Sequence, residues 1–117
     1  MLTAEQILGA ADTKVALENV PEWGADGQIG IRTLTGTERN DLMEQAARDE
    51  RANKTDAAAR KRLLGLCLCD ADGKRLFTDD QVGALMQKNG TVLDRLFRAA
   101  VKHNCLDAAS REALAGN

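Results

Sequence analysis

Four side chains of this sequence could together hold a metal ion. Three thiolates and one imidazole are a known zinc ligand set, and the candidates are Cys67, Cys69, His103 and Cys105. Cysteine pairs in structural zinc sites are usually separated by about two to four residues and lie on turns. Here a single residue separates Cys67 from Cys69, and Cys67 falls in a predicted helix, where residues two positions apart do not face each other. We therefore predict no metal and no cofactor, and keep a small zinc-stabilised regulatory or nucleic-acid-binding domain as the alternative.

Acid–base or nucleophilic catalysis would need a histidine placed beside a nucleophile and an orienting group. The chain has one histidine, His103, near the end of a predicted helix. A histidine at that place has a simpler explanation, because its cationic form interacts favourably with the helix dipole. No other residues form a recognisable nucleophile with its base. The sequence therefore predicts a protein that is not an enzyme.

Apolar residues offer a different chemistry, the binding of another protein. Trp23 is the only tryptophan, and it lies in a predicted loop, where it either covers one end of the core or anchors a partner. Two predicted helices farther along carry apolar stripes that form either core or binding surface. The candidate partner-binding residues are Trp23, Leu85, Met86, Leu93 and Phe97.

Charge and composition limit the class of partner. The chain has 18 acidic and 16 basic residues and a net charge of −2, unlike proteins attracted to nucleic acid or to anionic membranes, so neither is a predicted partner. The N-terminus lacks a basic region followed by a long apolar stretch, so no signal peptide is expected. No apolar run approaches the ~18 residues of a membrane span. The three cysteines are expected to be free thiols in a reducing cytosol.

The N-terminal third predicts a short helix and a β-hairpin. An amphipathic helix is expected over residues 3–11. Alternating apolar residues then predict one strand around Val15 and another around Ile29. Residues 20–27 between them contain the only proline and are predicted to be a loop. Gly30 inside the second strand would weaken it or mark a place where another backbone comes close.

Helices are predicted for the rest of the chain. Their predicted N-caps are Thr35, Thr78, Thr91 and Asp107. The first helix leads into residues 44–62, a charged, alanine-rich stretch predicted to be exposed because it contains no large apolar residue before Leu63. A second helix then continues through Leu68. The Thr78 helix is predicted to end at Asn89, the Thr91 helix at Asn104, and a last short helix covers residues 108–114.

This order of elements predicts the fold class. Strands followed by helices indicate an α+β protein, here a small N-terminal β-hairpin followed by a mostly helical body. With 117 residues, the chain is expected to be a single domain, residues 1–117. Only 3% of the residues are aromatic, so we expect a thin aliphatic core, with support from self-association or a partner.

Five segments, in this order, resemble the tail assembly chaperones of long-tailed phages and prophages. They are VPEWG at residues 20–24, IGIRTLTGTER at 29–39, LCLCDADGKRLFTDD at 66–80, LDRLFRAA at 93–100 and HNCL at 103–106. The resemblance extends over residues 14–106, nearly the whole chain.

The resemblance implies a small, α-rich, non-enzymatic protein of the bacterial host cytoplasm that is absent from the mature virion. The implied partner is the tape measure protein, whose long apolar helices the chaperone keeps soluble while the tail tube forms. The tail tube protein is a second candidate partner, since longer frameshifted forms of such chaperones recruit it, and this chain would match the shorter form. A homo-oligomer is a further expectation.

Overall fold

The computed structural model describes residues 1–52 and 57–106. In chain order the elements are α1 (Ala4–Gly9), β1 (Val15–Asn19), a 3₁₀ turn (Pro21–Trp23), β2 (Gln28–Arg32), α2 (Gly36–Arg51), α3 (Ala57–Cys67), β3 (Leu68–Cys69), α4 (Asp79–Leu85) and α5 (Gly90–His103). The predicted fold class, a small N-terminal β-hairpin followed by a mostly helical body, is confirmed. The predicted helix over residues 108–114 lies outside the described residues.

The sheet has three antiparallel strands in the order β1-β2-β3. β1 and β2 form the predicted hairpin, with Ala16 opposite Ile31. β3 was not predicted: the helix expected through Leu68 ends at Cys67, and the next two residues pair with β2. A short apolar run such as residues 63–69 fits helix and strand patterns equally, and its last two residues became a strand because β2 offered a partner.

Gly30 lies where neighbouring strands approach each other closely, which is one of the two explanations that the sequence suggested for it. A Cβ atom at this position would lie 2.9 Å from the backbone oxygen of Cys69 and 2.8 Å from Cγ1 of Val15. Both distances are shorter than real contacts of a Cβ atom allow. Because Gly30 has no side chain, the Val15 side chain of β1 and the backbone of β3 can approach β2 this closely.

The predicted N-caps at Thr35 and Thr78 are confirmed. Thr35 Oγ1 accepts a hydrogen bond from the Glu38 N–H at 3.2 Å, and Glu38 Oε1 accepts one from the Thr35 N–H at 3.0 Å. At α4, the Thr78 N–H donates to Gln81 Oε1 at 2.9 Å. Such reciprocal bonds satisfy N–H groups that the first turn of a helix leaves unpaired, so these helix starts are determined locally.

The boundary between α4 and α5 differs from the prediction. α4 ends at Leu85, not near Asn89. The N-cap of α5 is Asn89, whose Oδ1 accepts hydrogen bonds from the N–H groups of Thr91 at 2.9 Å and Val92 at 3.4 Å. The predicted cap at Thr91 is therefore wrong. Asparagine ranks among the best N-cap residues, and here it begins a helix where the sequence pattern indicated an end.

α2 carries the charged stretch that was predicted to be exposed. Most of its side chains are exposed, but Asp49 is buried. Asp49 Oδ2 and Oδ1 accept hydrogen bonds from Nη1 and Nη2 of Arg62 on α3, at 2.7 and 3.3 Å. A bidentate ion pair therefore joins the C-terminal part of α2 to α3.

The core lies between the sheet and helices α3 and α5. Its fully buried large side chains include Ile31, Leu64, Leu68, Val92 and Leu96. α5 ends at the predicted Asn104, a buried residue whose Oδ1 accepts a hydrogen bond from the Leu34 N–H at 2.8 Å. No helix within the described ranges is both long and apolar enough to cross a membrane.

Candidate partner-binding surface

A shallow apolar groove, here called the Trp23 groove, lies between the hairpin loop and α4. Its volume is about 300 Å³, and its lining residues are Trp23, Phe77, Gln81, Ala84, Leu85 and Lys88. Trp23 forms one wall and remains 38% exposed. In a chain with so few aromatic residues, a half-exposed tryptophan beside an apolar groove is the surface feature best suited to receive an apolar side chain of a partner.

The 3₁₀ turn presents Trp23 in a defined position. The Trp23 N–H donates to the Val20 oxygen at 3.1 Å, and the Val20 N–H donates to the Gly27 oxygen at 2.9 Å, which closes the loop. Pro21 occupies the first position of the turn, where the N–H that proline lacks would have no partner. The loop is therefore a hydrogen-bonded unit that extends the hairpin.

An ion pair attaches this loop to α5. Arg95 donates from Nη1 to Glu22 Oε2 at 2.8 Å and from Nη2 to Glu22 Oε1 at 3.0 Å, and Nη2 also reaches the Asn19 oxygen at 3.3 Å. The hydrogen bonds from Arg95 lower the pKa of Glu22 to about 2. Both side chains are exposed, so the pair adds little to global stability. Its effect is geometric, because Glu22 is the residue next to Trp23.

The opposite wall of the groove is part of the folded core. Leu85 is buried and Phe77 packs against the core cluster. Before Phe77, the Arg75 Nε donates to the Gly65 oxygen at 2.7 Å, and Arg75 Nη2 donates to Asp79 Oδ1 at 2.9 Å. These bonds connect the start of α4 to α3. A partner would therefore meet one wall that packs on the core and one wall that belongs to the loop.

The lining of the groove is mostly apolar. Lys88 is the only charged residue among its lining residues, which contain no acid–base pair. An amphipathic helix could place one apolar side chain between Trp23 and Phe77 and an acidic side chain near Lys88. Such a contact would combine an apolar and an ionic interaction at one surface.

Residues 11–113 of the sequence match the family profile of phage tail assembly chaperones. The chain belongs to this family. The match includes all five segments from which the resemblance was inferred, and it confirms that inference.

The fold of this chaperone is shared with a solved structure of the bacteriophage HK97 tail assembly chaperone. The two structures have a TM-score of 0.58 and 24% sequence identity, over 83% of this chain and 88% of the other. At this identity the likeness establishes the fold. No curated protein sequence matches the chain.

Two of the five predicted partner-binding residues of the chaperone meet in the Trp23 groove. Trp23 forms its exposed wall, and Leu85 is a buried part of the opposite wall. Met86 follows as the C-cap of α4 and is partly buried against the core. A role of these residues in binding stays a prediction, in which Trp23 is the residue most available to a partner.

The other two predicted residues lie on α5, away from the groove. Leu93 is buried in the core. Phe97 is partly buried, and the guanidinium of Arg60 on α3 lies 4.7 Å from the centre of its ring. Arg60 also pairs with Asp94. Partner binding by Leu93 and Phe97 likewise stays a prediction, and for Leu93 it would require the core to open.

Four residues that line the groove were missed by the sequence analysis: Phe77, Gln81, Ala84 and Lys88. Phe77 had a signal, because it is one of only three aromatic residues. The other three had none, since glutamine, alanine and lysine are ordinary on a helix surface. Only the packing of α4 against the hairpin loop brings them to Trp23.

The structure does not support the zinc alternative. Cys67 is fully buried, burial raises the pKa of its thiol to about 12, and its sulfur lies 3.5 Å from Asn104 Nδ2. His103 Nε2 lies 3.2 Å from Thr33 Oγ1 and 3.3 Å from the Lys14 oxygen. Across residues 1–52 and 57–106, no three His, Cys, Asp or Glu side chains are arranged to hold a metal ion. The four proposed ligands therefore form no site together.

Proposed function

We propose that this chain binds the tape measure protein of its phage and keeps it soluble while the tail tube assembles. It acts in the host cytoplasm, without catalysis, and is absent from the mature virion. Membership of the tail assembly chaperone family supports a tail protein as the partner. The observation that carries the proposal is the half-exposed Trp23 in an apolar groove.

The groove suits a client with long amphipathic helices. Such helices expose apolar side chains that aggregate unless they are covered. The groove offers space for one such side chain, with Lys88 beside it to pair with an acidic neighbour. Backbone hydrogen bonds close the loop and the Glu22–Arg95 pair connects it to α5. Trp23 therefore has a defined position before the client binds, and this favours affinity.

The tail tube protein is a second candidate partner of the same assembly. Its binding is a finer proposal, which rests on the family alone. In the experiment below it serves as a second, separate client.

The test is co-expression of the chaperone with the long helical protein encoded next downstream in its genome. The measurements are the soluble fraction of the client and the mass of the purified complex by light scattering. We expect a soluble complex with several chaperone copies per client. Trp23→Ala should weaken binding by about tenfold or more, the usual effect of removing an interface tryptophan.

Leu76→Ala is the matched control. Leu76 is 44% exposed, close to the 38% of Trp23, and does not line the groove. We expect it to bind as the unchanged protein does, and circular dichroism would verify that both variants fold. A client that stays insoluble with the unchanged chaperone contradicts the proposed function. A client held equally well by Trp23→Ala would leave the function in place and exclude the groove.

A further inference from the structure

The Trp23 groove has a neighbour on the other side of α4. This second depression, here called the α2–α4 cleft, lies between α2, α3 and α4 and has a volume of about 620 Å³. Leu42, Leu66 and Val82 provide its apolar lining. Among the described residues, the groove and the cleft share no lining residue. The chaperone therefore has two separate apolar depressions, one on each side of a short helix.

α4 is the wall between the two depressions. Gln81, Ala84 and Leu85 line the groove, whereas Asp79 and Val82 line the cleft. Successive residues of a helix are about 100° apart around its axis, which places these two sets on different sides of α4. A helix with its side chains is about 10–12 Å wide. The two depressions are therefore roughly 10 Å apart.

Small residues form the exposed side of this wall. Gly83 and Ala84 lie between the depressions, with Asp80 near one end of α4 and Gln87 just beyond the other. A Cβ atom at Gly83 would have Lys61 Nζ as its nearest neighbour, at 4.0 Å. The space above Gly83 is therefore open. Helices that meet through small side chains can approach to about 8 Å between their axes, so a partner helix can cross α4 here.

The arginines that line the cleft already have partners. Arg62 pairs with Asp49 at 2.7 Å, and Arg75 pairs with Asp79 at 2.9 Å. Arg75 Nε also donates to the Gly65 oxygen at 2.7 Å. These charges are balanced within the chain, so they offer a partner little net attraction.

Other charges on this surface are unpaired. Within residues 1–52 and 57–106, the side chains that take part in no ion pair here are Lys61, Lys88, Asp41 and Asp80. Lys61 lines the cleft and Lys88 the groove. Asp41 lies on the far wall of the cleft, on α2, and Asp80 lies in the first turn of α4. A helix that crosses above Gly83 therefore meets one unpaired lysine at each depression, and acidic residues beside its apolar side chains would complement them.

We propose that a single helix of the client crosses α4 and places one apolar side chain in the Trp23 groove and another in the α2–α4 cleft. This inference rests on the proposed function, because it concerns the same client. A helix rises ~1.5 Å per residue, so the roughly 10 Å between the depressions corresponds to about seven residues. Side chains seven residues apart also face the same side of a helix. The chaperone therefore selects pairs of apolar residues two turns apart that have acidic neighbours.

The spacing of the two apolar residues provides the first test. Three alanine-based peptides of ~20 residues, long enough to form a helix, would carry two leucines with glutamates beside them. The leucines would be four, seven or eleven residues apart, which is ~6, ~10 or ~16 Å along the helix. Titration of each labelled peptide with the full chain, followed by fluorescence anisotropy, gives its affinity. We expect the seven-residue spacing to bind about tenfold more tightly than the others, the usual effect of one added anchor.

Equal affinities of the three peptides would overturn the proposal, and so would a peptide of seven-residue spacing that does not bind. The peptides are probes of the chaperone surface, so this result does not depend on the identity of the client.

Gly83→Leu provides the second test, because it raises the wall between the depressions. The site has room for a side chain, and leucine favours a helix more than glycine does. Urea unfolding should therefore show no loss of stability, while the affinity for the seven-residue peptide falls about tenfold or more. Gly36→Leu is the matched control, since Gly36 is also an exposed helical glycine with open space around it and lines neither depression. Unchanged affinity in Gly83→Leu would contradict the crossing.

Ala58→Arg provides the third test, because it fills the cleft. It should abolish the preference for the seven-residue spacing, whereas Ala57→Arg should retain it, since Ala57 is exposed but does not line the cleft. A client complex that Trp23→Ala weakens, but that Gly83→Leu and Ala58→Arg leave unchanged, would overturn this inference and leave the proposed function in place. Absence of any client complex would contradict the proposed function itself, whatever the peptides show.

Discussion

Replacement of Asn104 by alanine tests how the end of α5 is connected to the sheet and to α2. The Oδ1 atom of Asn104 accepts a hydrogen bond from the Leu34 N–H at 2.8 Å. Its Nδ2 donates to the oxygens of Ala100 and Arg32, at 3.2 and 3.3 Å. One amide side chain therefore joins the last turn of α5 to the segment that leads from β2 into α2.

The expected loss of stability follows from these partners. Without Oδ1, the buried N–H of Leu34 has no acceptor, and an unsatisfied buried donor costs about 1–3 kcal/mol. Each lost hydrogen bond of Nδ2 removes about 1 kcal/mol or less, since the Ala100 oxygen still accepts from the backbone N–H of Asn104. We expect a total near 3 kcal/mol, a large part of the ~5–15 kcal/mol by which a domain of this size is stable.

Urea unfolding followed by circular dichroism measures this change. Lys102→Ala is the control, because Lys102 is exposed in the same last turn of α5, and its free energy of unfolding should change by less than about 0.5 kcal/mol. Hydrogen exchange adds a local readout, in which the Leu34 amide should lose protection in Asn104→Ala. A loss below about 1 kcal/mol with an unchanged urea dependence would refute the reasoning, because Leu34 would then have another acceptor.

Two further predictions concern titratable groups. Cys105 is partly exposed and should react with a thiol reagent first. Burial raises the pKa of Cys67 to about 12, so Cys67 should react only when the protein unfolds. Equal reaction rates of the two thiols in the folded protein would contradict the burial assigned to Cys67. The pKa of Glu22 is lowered from 4.5 to about 2, so the contribution of its ion pair with Arg95 is fully present above pH 4.5 and is lost as the pH falls toward 2. The fluorescence of Trp23 should change as the ion pair is lost, and the Glu22→Gln variant should not show this acid transition. An identical acid titration of the variant would show that other contacts hold the loop.

Local interactions account for what the sequence predicted correctly. The capping boxes at Thr35 and Thr78 join residues three positions apart, and a pattern of that range can be read directly from the chain. The hairpin follows from alternating apolar residues on both sides of a loop that contains proline. The family resemblance, which rested on segments along the whole chain, was likewise available without a structure and is confirmed by the family match.

Patterns with two solutions needed the tertiary structure. Leu68 and Cys69 continue an apolar run that a helix would also accommodate, and β2 selects the strand because it pairs with them. Asn89 precedes a glycine, a sequence that indicates a helix end, yet its side chain caps the helix that follows. Asp49 lies in a stretch predicted to be exposed, but it is buried in an ion pair with Arg62 of α3.

The sequence by itself determined the fold class, most helix starts, the hairpin and the family, because each depends on neighbouring residues or on the order of motifs along the chain. It also identified Trp23 as unusual. Only the tertiary structure decided what surrounds Trp23. Phe77, far from it in sequence, lines the same groove, and Arg95 of α5 bonds to the neighbouring Glu22. Contacts over such separations depend on the whole fold, and no local pattern encodes them.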